Sequence, residues 1–142
     1  MIVVDVNLLL YAVISGFAQH EAARSWWEAA LNGPEQVGLA GPAIFGFLRI
    51  STNRSILESP LPVEAATGYV TDWLAQPNAS FLLPGPRHLS IVFDLLREAG
   101  TAGNLTTDAQ LAALAIEHDA EMCSNDAGFG RFRGLRWTNP LS

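Results

Sequence analysis

The chain opens Met1-Ile2-Val3-Val4-Asp5-Val6-Asn7-Leu8-Leu9-Leu10, and the reading of this stretch decides the fold. Ile2-Val3-Val4 is short, wholly apolar and β-branched, as a strand buried on both faces is. It closes on a carboxylate, Asp5. Leu8 to Ile14 then reads as a helix, with Asn7 available as its N-cap. The run carries no positive charge ahead of it and is interrupted by Asp5. Its apolar stretch is also far below the ~20 residues that span a bilayer. Strand followed by helix, both inside the fold, is the expectation.

Working outward, the same alternation repeats. His20 to Leu31 places Ala23, Trp26, Trp27 and Ala30 at three- and four-residue spacing, a helix that Asn32-Gly33-Pro34 ends. Val37 to Ala40 reads as a second strand, and Gly41-Pro42 opens a helix to about Asn53. Val63 to Ala75 is a helix bounded by Pro62 and Pro77. Phe81 to Leu83 reads as a third strand, and Leu89 to Ala99 as a helix stopped by Gly100. Thr107 to Asp119 is a helix with Leu111, Leu114, Ala115 and His118 on one face. Glu121 to Ser124 and Leu135 to Trp137 are the last strands. The expected fold is α/β, one domain over residues 1–142. Its mostly parallel central sheet has four or five strands, covered by helices on both faces.

Composition bounds the function. With 49% hydrophobic and 15% charged residues the chain is a compact globule rather than a disordered one. A net charge of −6 argues against holding nucleic acid mainly by neutralising phosphates, but suits a site that concentrates carboxylates around metal ions. One cysteine, Cys123, allows neither an internal disulfide nor a zinc cluster, so a reducing cytoplasm is the expected compartment. Nothing matches a P-loop, a dinucleotide fingerprint or a nucleophile elbow.

In an open parallel sheet, ligands bind beyond the carboxyl ends of the strands. Asp5 ends the first strand, Asp126 follows Glu121–Ser124, and Asp108 lies in the first turn of the helix that feeds that strand. The fold therefore gathers three acids from distant parts of the chain. Carboxylates held together repel unless a cation compensates, and hard oxygen ligands select Mg²⁺ or Mn²⁺. Each acid also has a plainer reading. Thr107-Asp108-Ala109-Gln110 matches a capping box with Thr107 as N-cap, and Asp126 sits in a turn-like Ser124-Asn125-Asp126-Ala127-Gly128. Asp5 is harder to dismiss, because a carboxylate closing an apolar strand needs partners.

Asp5-Val6-Asn7, Phe47-Leu48-Arg49-Ile50-Ser51-Thr52-Asn53-Arg54, Asn104-Leu105-Thr106-Thr107-Asp108-Ala109, and Ser124-Asn125-Asp126 with Phe129 and Phe132 together resemble the PIN-domain toxins of VapBC toxin–antitoxin systems. The likeness is strongest to the actinobacterial branch and runs on to the closing Leu135-Arg136-Trp137-Thr138-Asn139-Pro140-Leu141. The resemblance implies a dimeric, Mg²⁺- or Mn²⁺-dependent endoribonuclease, neutralised by a VapB-type antitoxin that enters the active-site groove. Asp5, Asp108 and Asp126 match acids that hold the metal. Asn7, Thr107 and Asn125 fall at supporting positions, Asn7 at the one that orients the first carboxylate.

Two departures stand out. Most PIN proteins carry a glutamate on the helix after the second strand, where this chain has Ile44. Many carry an aspartate where this chain has Gly128. The departures leave open whether one metal or two is held. They also motivate an alternative, a PIN module that binds RNA or its antitoxin without turnover. A nuclease acting on DNA would use the same metal chemistry. Arg49, Arg54, Arg131 and Arg133, with Arg136 nearby, are candidate contacts for RNA phosphates or an acidic antitoxin segment, or else plain surface. Trp26, Trp27 and Trp73 fit core or dimer packing. His20, His88 and His118 show no ligand spacing and fit hydrogen-bonded structural roles.

Overall fold

The computed structural model describes residues 1–142. Five parallel strands form one sheet: β1 (Ile2–Val4), β2 (Val37–Ala40), β3 (Ala79–Leu82), β4 (Glu121–Cys123) and β5 (Trp137–Thr138). Their spatial order is β3-β2-β1-β4-β5. The chain places β1 centrally, moves outward through β2 and β3, then returns to lay β4 on the other side of β1. In register, Ile2, Val3 and Val4 face Glu121, Met122 and Cys123 across that central pair. With right-handed crossovers, this reversal puts the earlier and later helices on opposite faces of the sheet.

Six helices supply the cover: α1 (Val6–Val13), α2 (His20–Leu31), α3 (Gly41–Ser51), α4 (Val63–Leu74), α5 (His88–Ala99) and α6 (Thr106–Glu117). Short 3-10 segments, Gly103–Leu105 and Ala127–Arg131, precede α6 and follow β4. Val3, Val4, Leu8 and Leu9 are fully buried, which explains why the opening run is apolar without alternation. Trp27 and Trp73 pack edge to face at 5.6 Å, and Phe47 meets Trp73 at 5.0 Å. The tryptophans of α2 and α4 thus belong to the core, with Trp26 half-buried beside Trp27. Gly46 lets α3 cross closely over the first turn of α1, since a Cβ there would lie 3.1 Å from Val6 Cγ2.

The structure corrects several local expectations. The N-cap of α1 is Asp5, whose Oδ1 accepts from the Val6 N–H at 2.7 Å, and Asn7 is already helical. Thr107 is not an N-cap either. The preceding 3-10 turn runs directly into α6, so Thr107 is helical and no side chain caps that end. β3 starts two residues earlier than expected, and β5 follows Leu135-Arg136 instead of including them. His118 leaves the apolar face of α6 because the helix ends at Glu117. It is exposed, with Nε2 2.9 Å from the Leu83 carbonyl oxygen. His20 Nδ1 lies 2.7 Å from the Tyr11 carbonyl oxygen, whereas His88 Nδ1 is buried without a partner. No helix is long and apolar enough to cross a membrane.

Between α2 and β3 the chain is tied by one buried amide. Asn78 Nδ2 lies within 2.8–3.1 Å of the carbonyl oxygens of Ala30, Gly33 and Glu35. Asn78→Ala is expected to strip those carbonyls of their donor and lower unfolding free energy by about 1–3 kcal/mol. The measurement is the urea midpoint at constant m-value, and an unchanged midpoint would refute this role for the amide.

Candidate active site

β1 and β4 are neighbours whose outgoing connections run in opposite directions, so their carboxyl ends flank the switch point of the sheet, where such folds form a crevice. Asp5 sits at the end of β1, and its N–H donates to the Cys123 carbonyl at 3.0 Å, continuing the strand ladder. Asp126 follows β4 by three residues. Asp108 lies in the first turn of α6, a helix that starts at this same edge before running back to β4.

One hydroxyl organises the centre. Ser124 Oγ donates to Asp5 Oδ2 at 2.6 Å and accepts from Asn7 Nδ2 at 3.3 Å and from the Asp126 N–H at 2.9 Å. A serine oxygen has one proton and two lone pairs, so all three capacities are used. Asn125 N–H reaches Asn7 Oδ1 at 3.5 Å. Asp126 Oδ1 accepts from Gly128 N–H at 2.8 Å, capping the 3-10 turn it starts. Asn7 and Asn125 therefore meet in the network. Thr107 is exposed, and its side chain makes no hydrogen bond.

Two residues that sequence reasoning did not single out complete the frame. Ser124 stood inside a quoted motif, yet its hydroxyl is the hub. Asn139 Nδ2 donates to Asn125 Oδ1 at 3.1 Å, and the indole of Trp137 donates to the Ser124 carbonyl at 3.1 Å. The C-terminal segment thereby braces the loop that carries Asp126. Ser124 ends a buried strand with a polar side chain, a signal available in the sequence. Asn139 also stood inside a quoted stretch, the closing one, but nothing there tied its side chain to Asn125.

The electrostatics are those of crowded acids. Asp5 is 5% exposed. Burial raises its carboxyl above the usual range, against the hydrogen bonds from Ser124 and Val6, and the Asp126 charge adds to the rise. Asp108, half-buried, is pushed up to about 6 by burial first and then by the charges of Asp5 and Asp126, with Arg131 pulling it down. The three carboxylates thus share one field. As placed, no three acidic, histidine or cysteine side chains converge on one point as ligands of a single ion. The donor set is still all hard oxygen with uncompensated negative charge, which fits Mg²⁺ or Mn²⁺ held through a mixture of direct and water-mediated contacts.

The remaining candidates separate. Arg131 closes the 3-10 turn beside Asp126, and Arg133 follows it. Arg49 and Arg54 lie at and beyond the far end of α3, which starts at the carboxyl edge and runs away from it, so they do not flank the aspartates. Arg136 is bonded to Asp119, 3.0 Å from Nη1 to Oδ1, just ahead of β5. Ile44 is 6% exposed within the apolar core. Cys123 is free and buried, its thiol pushed up to about 12, mainly by burial.

The chain matches the PIN domain family over residues 2–135. Ribonuclease VapC33 of Mycobacterium tuberculosis (strain H37Rv) is 55% identical over 141 residues, 99% of each chain. Ribonuclease VapC37 of the same organism is 44% identical over 140 residues, 99% of this chain and 97% of its own. Among solved structures, Mycobacterium tuberculosis VapC20, described as a sarcin-ricin loop cleaving toxin, matches with a TM-score of 0.68 at 15% identity, covering 96% of this chain and 99% of its own. VapBC2 from Rickettsia felis, bound to a promoter DNA fragment, matches at 0.69 and 16% identity, covering 98% of each chain. At such identities the structural likeness speaks for the fold, while the family rests on the sequence matches. With Asp5, Asp108 and Asp126 gathered at the switch point of a parallel sheet and likeness along nearly its whole length, the chain belongs to the PIN-domain family, on its VapC branch.

Proposed function

We propose that this chain is a metal-dependent endoribonuclease, the toxin of a type II toxin–antitoxin pair. The observation that carries the reading is the buried Asp5 carboxylate, clamped by Ser124 in one field with Asp108 and Asp126. The ribonuclease names of full-length relatives support it. Asp5, Asp108 and Asp126 would hold Mg²⁺ or Mn²⁺, which supplies Lewis acidity toward the phosphodiester and acidifies water. Ser124 fixes the Asp5 carboxylate, while Asn7 and Asn125 hold Ser124 and the Asp126 loop in place. Hydrolysis by water in line with the leaving oxygen is expected to leave a 5′-phosphate.

A VapB-type antitoxin is the proposed partner, supported by likeness to chains solved in VapBC complexes. The homodimer implied by resemblance has a candidate face in Phe81, Leu83, Leu89 and Phe93, large exposed apolar groups on and just after β3 and on the first turns of α5. One cysteine, buried, suits a reducing cytoplasm. A second reading, a PIN module that binds RNA or antitoxin without turnover, is favoured by Ile44, by Gly128 and by the lack of three converging ligands.

Purified protein given single-stranded RNA and Mn²⁺ is expected to cleave it at discrete sites. Asp5→Ala is expected to cut the rate at least a hundredfold, about 2.7 kcal/mol in the barrier. EDTA is expected to abolish cleavage. Wild-type cleavage by the variant would reject the assignment of Asp5, and cleavage surviving EDTA would reject the metal dependence. A folded wild type that binds Mn²⁺ or RNA yet never cleaves would establish the binding module.

Ser124→Ala removes the only side chain bonded to the Asp5 carboxylate. It is expected to lower kcat about tenfold with little change in KM, while Ser124→Thr retains activity. Equal loss in both variants would show that the hydroxyl does not position Asp5.

Asp108 yields a pH signature. Its folded value of about 6 lies above 3.8, so its ionised form destabilises the metal-free fold. That penalty grows as pH rises from about 4 to 6 and is then constant. Asp108→Asn in EDTA is expected to raise stability at pH 7 by roughly 1 kcal/mol after solvent screening of a half-exposed group, or about 4 °C in Tm. The gain should vanish below about pH 4. Mn²⁺ should raise the Tm of the wild type more than that of the variant. A variant less stable than wild type at pH 7 in EDTA would contradict the assignment.

A further inference from the structure

We propose that the guanidinium of Arg131 is a phosphate-binding group beside the aspartate cluster, kept available by Gly128; the inference rests on the ribonuclease reading above. Arg131 ends the 3-10 turn that Asp126 caps. Its Nε donates to the Gly128 carbonyl at 2.9 Å, which folds the side chain back across that turn. Asp108 feels its positive charge, so the guanidinium lies within electrostatic reach of that carboxylate. Arg24, Arg97 and Arg136 are each paired with a carboxylate, whereas Arg131 has no ion pair.

Gly128 explains that freedom. A Cβ at this position would lie 3.1 Å from Arg131 Nη2 and 3.0 Å from Asp126 Oδ1. Any side chain would crowd the guanidinium, and a carboxylate would pair with it. Arg131 and Arg133 also line a cleft of about 580 Å³ with Leu95, Glu98, Thr101 and Leu105. Leu105 leads directly into the first turn of α6, so the cleft runs up to the element that carries Asp108.

An arginine fork matches phosphate and carboxylate alike. The location selects phosphate. An anion on Arg131 sits beside the turn that Asp126 caps and within electrostatic reach of Asp108, and on the ribonuclease reading a phosphodiester is the group on which that site acts. Arg133 in the same cleft can meet a further phosphate of the strand. In a chain of net charge −6, this local cation offsets the carboxylates that a polyanion must approach.

The test measures binding without catalysis. A fluorescent single-stranded RNA oligonucleotide is titrated across a salt series in EDTA, which withholds the metal that the proposed cleavage needs. Arg131→Gln is expected to weaken binding about tenfold and to reduce the slope of log affinity against log salt by about 0.7, the loss of one phosphate contact on a single strand. Arg131→Lys should keep most of the slope, which separates charge from folding. Gly128→Asp should behave like Arg131→Gln although the arginine is still present. Unchanged affinity and slope in Arg131→Gln would overturn the proposal, as would wild-type binding by Gly128→Asp. A polyglutamate peptide that binds more tightly than the oligonucleotide, with the same dependence on Arg131, would reassign the cleft to an acidic peptide. Because no turnover is involved, a folded wild type that never cleaves RNA in Mn²⁺ would sink the ribonuclease reading and leave this result standing.

Discussion

The hydroxyl of Ser124 is the contact on which the site depends. It joins the end of β1 and the start of α1 to the loop after β4, which lies more than a hundred residues further along the chain. The β1–β4 pair sets their approach, since Val4 lies opposite Cys123 and the next residue on each strand is Asp5 and Ser124. Parallel register alone therefore places hydroxyl beside carboxylate. A one-residue slip would send Ser124 to the other face of the sheet and leave Asp5 buried without its side-chain donor. The fully buried valines of β1 specify the register, and the site inherits its alignment from the core.

The groups around Asp5 have a common character. Its carboxylate receives the Ser124 hydroxyl and the Val6 N–H, and Asn7 supports the serine. All of these are neutral. They orient the charge without cancelling it, which is why burial still raises the Asp5 carboxyl. A structural aspartate in such a place would be expected to face an arginine; here the arginine with electrostatic influence bears on Asp108 instead. The uncompensated charge is a standing cost to the fold, of the kind that persists where a ligand relieves it.

Much of this was legible in the sequence. The strand–helix alternation, the parallel sheet and the edge on which Asp5, Asp108 and Asp126 lie all follow from periodicity and chain order. The errors fall where a choice between near neighbours depends on geometry. Asp5 and Asn7 are both good N-caps, and the choice turned on where the β1 backbone stops being extended. Thr107 lost its cap role to a 3-10 turn that composition does not announce. Arg49 and Arg54 stood in a quoted motif, but α3 carries them away from the site edge. The role of Asn139 was not legible although its stretch was quoted, because it arises only when β5 lays the C-terminus against the Asn125 loop.

The two departures from the family pattern have different physical consequences. Ile44 is closed into the core, so an acid there would need a compensating cation brought into an apolar setting. No cationic side chain of α3 other than the exposed Arg49, two residues from its end, is available to serve. The position is therefore given over to packing. Gly128 is different, because it is partly exposed and its lack of a side chain leaves room that Arg131 uses. One departure removes negative charge from the site, and the other leaves a positive charge uncovered beside it. Both shift the electrostatic balance in the same direction, toward fewer bound cations and a greater share of anion binding by the protein's own arginine. On the proposed metal-dependent reading, Arg131 would supply part of the positive field that a bound cation otherwise provides.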